Sequence, residues 1–153
     1  MIRLSRLTDY AVALLSHMGK EGDKDLWAAT DLTEKSGLPL PTVAKIMKML
    51  AKSGLITAQR GAAGGYKLAR AQKDISVAEI IEVMDGPIAI TDCSKGSART
   101  GCSIQSICPM NDGWNKVNSA LRKALENVSL AEMSTTLITF PTVENQTPRA
   151  AGE

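Results

Sequence analysis

The chain has no C-x-x-C pair, and its one histidine, His17, lies far in sequence from its three cysteines. These absences weigh against a dithiol redox enzyme, a cysteine–histidine nucleophile and an ordinary zinc finger, all of which need such groups at short spacing. No apolar run approaches transmembrane length. Arg3 and Arg6 ahead of Ala11 to Leu15 imitate a signal peptide, but Asp9 interrupts the run. Leu7, Tyr10, Ala11, Leu14, Leu15 and Met18 instead recur at the spacing of an amphipathic helix. The expectation is a soluble, cytoplasmic protein with no membrane partner and no small-molecule substrate. The phosphate-loop ending G-K-[ST] is missing, so the glycines at 61, 64 and 65 do not read as a nucleotide cradle. Carboxylates are absent from Lys35 to Lys73, a window that holds Lys35, Lys45, Lys48, Lys52, Arg60, Lys67, Arg70 and Lys73. A cluster of one sign predicts a polyanionic partner.

The 153 residues suffice for one domain and an appendage. The net charge of +2 conceals an asymmetry, because residues 1–70 carry 11 basic and 6 acidic side chains while residues 71–153 carry 7 and 10. The front half is the anion-binding half. A short helix is expected over about Ala28 to Ser36, with Gly37 as its left-handed terminator. Pro39 and Pro41 then predict an extended Leu40 and a helix opening at Pro41 and ending near Ser53. In that helix Val43, Ile46, Met47 and Leu50 form the buried stripe, and Thr42, Lys45, Lys48 and Lys52 lie opposite it. Helix, glycine turn and cationic helix describe a helix-turn-helix. Leu55 to Arg60 and Tyr66 to Ala69 read as two strands around a glycine-rich tip, the wing of a winged helix. Gly64 lets the tip approach a DNA backbone, with Arg60 placed to enter a minor groove and Lys67 to add charge. Ser76 to Glu79 is a capping box that opens a fourth helix. Trp114, Val117, Leu121, Ala124, Leu125 and Val128 mark a long amphipathic helix from about Asn111 to Asn127, suited to a two-fold dimer interface. Ser129 to Glu132 is a second capping box.

Cys93, Cys102 and Cys108 are spaced C-x8-C-x5-C. An odd number of thiols cannot be fully paired within one chain, so a ligand set is the better reading than a disulfide framework. Soft thiolates favour zinc or an iron–sulfur cluster, and both usually take four ligands. The spacing is too wide for the zinc knuckle, which favours iron and sulfur and leaves a zinc-stabilised DNA-binding or protein-interaction module as the alternative of another class. Ser94 to Gly101 offers no apolar face, so the first two thiols are expected in a loop rather than in a core.

Leu4 to Ala11, Leu40 to Lys45, Arg60 to Tyr66 and the three-cysteine loop together resemble the Rrf2 family of bacterial transcription regulators, over about residues 1–138. Gly86 to Ala89 before Cys93, and Trp114 after Cys108, make the chain most similar to members that regulate the SUF iron–sulfur assembly operon, with the IscR and nitric-oxide-sensing NsrR branches nearby. The resemblance implies a homodimeric repressor whose cysteine loop holds an iron–sulfur cluster, two-iron in preference to four-iron, and whose occupancy alters binding to a double-stranded operator. A nitric-oxide or redox signal is the alternative within the family. Cys93, Cys102 and Cys108 match the family's ligands. Asn111 stands where IscR-like members carry a histidine ligand, and Asp9 matches the position from which NsrR-type members donate a carboxylate across the dimer. Asp112 and water compete with it. Thr42 and Lys45 match base-reading positions, and Arg60 matches the wing arginine. The expected architecture is mainly α, with a winged helix-turn-helix DNA-binding domain and small β-hairpin wing over 1–86. A cluster-binding loop follows over 87–110, then a long C-terminal dimerisation helix and short final segment over 111–138, and a disordered tail over 139–153.

Overall fold

A computed structural model describes residues 3–19, 26–95 and 107–134. Cys102 and the expected tail lie outside the described residues. Helix α1 (Arg6–Met18) starts at Ser5, whose hydroxyl accepts the Thr8 N–H at 3.2 Å, and it buries Ala11, Leu14, Leu15 and Met18. Leu7 and Tyr10, the other two members of the stripe expected from periodicity, are half-buried against the same core. Helix α2 (Ala29–Ser36) ends at Gly37, which takes the left-handed conformation at φ 69°.

Helix α3 (Leu40–Ser53) begins one residue earlier than the prolines predict. Leu40 is helical, not extended, and Pro41 is the second helical residue. The pre-proline preference yields here because the Pro39 carbonyl accepts the N–H groups of both Thr42 and Val43, at 2.9 and 3.1 Å. Pro41 at the second position still forfeits only an N–H that no helix satisfies internally. Val43, Ile46, Met47 and Leu50 are fully buried.

Strands β1 (Ile56–Gln59) and β2 (Gly65–Leu68) pair antiparallel, with Ile56 opposite Leu68 and Gln59 opposite Gly65. Trp27, itself buried, extends the hairpin by exchanging backbone hydrogen bonds with Tyr66 at 2.8 and 2.9 Å. A Cβ on Gly65 would meet the Trp27 carbonyl oxygen at 2.8 Å, so this third edge requires glycine there.

Helix α4 (Val77–Asp85) carries the predicted capping box: Ser76 Oγ accepts the Glu79 N–H at 3.2 Å, and Glu79 Oε2 accepts the Ser76 N–H at 2.9 Å. At its far end Asp85 accepts the Ser5 N–H at 3.0 Å, tying α4 to the start of α1. Burial pushes the Asp85 carboxyl up, but hydrogen bonds from Ser5 and Thr8 outweigh it and hold the group below its ordinary range.

Helix α5 (Asn111–Glu126) lies against α4, with Arg122 bridging Glu82 at 3.1 Å and half-buried Leu121 and Leu125 lining a cavity together with Ile81 and Asp85 of α4. Trp114, Val117 and Ala124 of its apolar stripe remain exposed. Helix α6 (Leu130–Ser134) then turns back into the head. Leu130 is fully buried in the common core, and its N–H donates to the Ile75 carbonyl at 2.8 Å. Replacing Leu130 by Ala should therefore cost about 2–5 kcal/mol in urea denaturation at fixed protein concentration. A loss below about 1 kcal/mol would show that α6 rests on the head without completing its core.

Candidate nucleic-acid interface and cysteine site

The acid-free window does not place all its cations alike. Lys45, Lys48 and Lys52 stand exposed along α3, with Arg60 exposed at the start of the wing's tip loop and Lys67 exposed on β2. None of these five has an ion-pair partner among the described residues. Thr42, by contrast, is half-buried at the foot of the same helix. Arg70 is committed to structure, pairing with Glu79 at 2.7 Å and donating to the Asp74 carbonyl at 3.0 Å. Burial raises the Glu79 carboxyl, and the Ser76 and Arg70 hydrogen bonds more than reverse it, so it stays a carboxylate below its usual range. Lys35 lies over the Trp27 ring at 5.5 Å.

At the wing tip the Gly64 N–H donates to the Gly61 carbonyl at 3.0 Å. A side chain at Gly64 would collide with the Gln59 carbonyl oxygen, 2.3 Å from an ideal Cβ, so glycine is what lets this turn close. The tip presents Arg60, Gly61, Ala62 and Ala63 to solvent as mostly bare backbone. A cationic helix beside a bare, basic-edged hairpin is chemically suited to phosphates and groove edges.

The described parts of the cysteine segment, residues 87–95 and 107–110, are built onto the opening turns of α5. Ile88 to Ile90 is held by a single side chain: Asn118 Oδ1 accepts the Ile90 N–H at 3.1 Å, and Asn118 Nδ2 donates to the Ile88 carbonyl at 3.1 Å. Three residues on, Cys93 is half-buried in the short turn Asp92–Lys95, with its Sγ 3.1 Å from the Thr91 hydroxyl. Thr91 also contacts the Ser94 hydroxyl at 2.9 Å, and Ser94 reaches Asn115 at 3.4 Å. Cys108 enters α5 directly, its carbonyl accepting the Asn111 N–H at 3.3 Å. Both thiols are free and half-buried. Cys93 and Cys108 are thus anchored to the same two helical turns, although 14 residues separate them in the chain.

The donor chemistry fits a thiophilic centre. Two half-buried thiols sit near the N-terminal end of α5, whose dipole favours negative charge. Asp112 is exposed in the first turn of α5, and Asp9 is exposed in the first turn of α1. The side chains that hold Cys93, namely Thr91, Asn115 and Asn118, were not singled out from sequence. Their signal was available: Asn111, Asn115 and Asn118 recur at i, i+4 and i+7, a polar stripe beside the apolar one.

Residues 4–136 match the Rrf2 family, described as iron-dependent transcriptional regulators. A putative HTH-type transcriptional regulator, ORF2, of Azotobacter vinelandii is 26% identical over 132 residues, covering 86% of this chain and 79% of that protein. Among solved structures, T. potens IscR superimposes with a TM-score of 0.60 at 27% identity, covering 88% of this chain and 87% of that one. CymR, the global cysteine regulator of B. subtilis, gives 0.66 at 19% identity over 88% of this chain and 98% of that one, a likeness of fold. A basic helix-turn-helix with its wing and relatives that are regulators rather than enzymes agree with the match along the chain: it belongs to the Rrf2 family of iron-dependent, DNA-binding transcriptional regulators.

Proposed function

We propose that the protein is a homodimeric repressor that senses iron–sulfur cluster status and controls SUF-type assembly genes. Cys93, Cys102 and Cys108 would hold the cluster, two-iron in preference to four-iron, with Asp9 of the second protomer as fourth ligand. The observation that carries this reading is the seating of Cys93 and Cys108 on the same end of α5. The family description and the likeness to IscR support it. When bound, the cluster supplies a multi-thiolate crosslink that its loss or oxidation removes. The chain's own residues do the rest. Asn118 fixes the approach to Cys93, Thr91 meets its sulfur, and Asn111 fixes the backbone of Cys108. The exposed stripe of Trp114 and Val117 offers an apolar face for a second α5, and two heads so joined can address half-sites about one helical turn, roughly 34 Å, apart.

Anaerobically purified protein should be reddish-brown, contain iron and sulfide, and bind its operator with different affinity before and after chelation. Equal affinities, or a colourless protein carrying zinc, would overturn the reading. Asp9→Ala should shorten the lifetime of the visible absorption about tenfold or more, since even removal of outer-shell partners commonly costs that much in metal affinity. A wild-type lifetime would take Asp9 out of the ligand set and pass the role to Asp112 or water.

A further inference from the structure

The outer face of α3 has two unlike halves. Its trailing turns carry Lys45, Lys48 and Lys52, but around its start the exposed residues are the uncharged Pro39, Leu40, Pro41 and Ala44, with Thr42 half-buried among them. Leu40 keeps 45% of its surface exposed, and Ala44, one turn on, lies on the same side.

A lone exposed leucine is ordinary on a protein surface. Its position is not, because the first turn of a helix usually recruits Asp, Glu or a capping hydroxyl to its free N–H groups. Here that turn contains no acid and no side-chain cap, and the Pro39 carbonyl takes the Thr42 and Val43 N–H groups instead. A carboxylate there would be repelled by phosphates, so its absence suits approach to DNA.

In a helix-turn-helix the leading residues of the second helix are the ones that reach base edges. Leucine neither donates nor accepts a hydrogen bond, so it can read only one feature of the major groove, the C5-methyl of thymine. We propose that Leu40, with Ala44 beside it, packs on a thymine methyl in each operator half-site and so helps to determine sequence specificity. Lys48 and Lys52 then supply sequence-independent attraction, and Leu40 supplies discrimination that charge cannot. The inference rests on DNA binding by α3, not on the cysteine site.

The test starts by selecting duplexes from a randomised library with the full-length wild-type protein, in apo and anaerobic holo forms. Each thymine of the enriched sequence is then replaced singly by uracil, which removes only the methyl group. One thymine per half-site should lose about fourfold in affinity on this change, the worth of one buried methyl, and about sixteenfold when both half-sites are changed. Leu40→Ala should bind thymine and uracil duplexes alike, while Leu40→Met, still apolar, should retain the preference. At the same position 5-methylcytosine should bind the wild type better than cytosine, and Leu40→Ala should not distinguish them. A wild type that enriches no sequence, or is indifferent to every uracil substitution, overturns the proposal. So does a Leu40→Ala variant that keeps the full preference. The side chain is half exposed, so the variant's melting temperature should match the wild type and separate lost reading from lost folding.

Discussion

Operator affinity should fall by about 10³–10⁵-fold as salt rises from about 50 to about 200 mM, because each neutralised phosphate releases condensed counterions. The structure shows which cations are free to produce that slope. Lys45, Lys48, Lys52, Arg60 and Lys67 are exposed and without ion-pair partners among the described residues. If each protomer of a dimer places about four of them on phosphates, roughly eight counterions are released, and log affinity against log salt has a slope near −7. Single substitutions sort the window further. Lys48→Gln should make the slope shallower by about two in the dimer, one phosphate for each protomer, and weaken all sequences alike. Arg70→Gln should leave the slope alone, since Arg70 is held by Glu79 and the Asp74 carbonyl. A wild-type slope shallower than about −3 would mean that the basic face is a solvated surface and not the interface.

What could be read from sequence, and what could not, divides along the range of the interaction. The stripes of α1 and α3, the Gly37 terminator, the wing and the Ser76 capping box are local, encoded within a few residues, and each appears where expected. The start of α3 departs from expectation because two backbone hydrogen bonds to Pro39 outweigh the steric preference of Leu40 before Pro41. Trp27 was illegible as a third wing edge, since its pairing with Tyr66 spans 39 positions and depends on Gly65 leaving room. The capping box at Ser129 was legible. That Leu130 returns to the core of the head was not, because one leucine after a cap carries no periodicity to reveal its destination. In the cysteine segment, residue types and spacing pointed to ligands, while the clamp by Asn118 required the helix and the loop to be placed together.

On the proposed reading, Cys102→Ala should abolish the visible absorption of anaerobically prepared protein and make its operator affinity equal to that of chelated wild type. Cys93→Ala and Cys108→Ala should do the same. Three thiolates and one weaker donor already make a minimal set, and two thiolates fall well short of the four ligands such clusters usually take. The loss should not be one of folding. Cys93 and Cys108 are half-buried at the edge of α5 and outside the hydrophobic core, so their replacement should change stability of the apo protein by no more than about 0.5 kcal/mol, the range of ordinary surface substitutions. Leu130→Ala makes the contrasting case. It removes core at the other end of α5 and should lower stability while leaving all three thiolates in place. If α5 is a rod pinned to the head by Leu130 and to the cysteine segment by Asn118 and Asn111, the cysteine variants should separate regulation from stability, and the leucine variant should join stability to DNA binding. A cysteine variant that stays coloured, or that still changes operator affinity on chelation, would place the sensing chemistry outside Cys93, Cys102 and Cys108. A Cys93 or Cys108 variant as unstable as Leu130→Ala would instead make these two thiols part of the core, contrary to their half-buried positions in the Asp92–Lys95 turn and just ahead of α5.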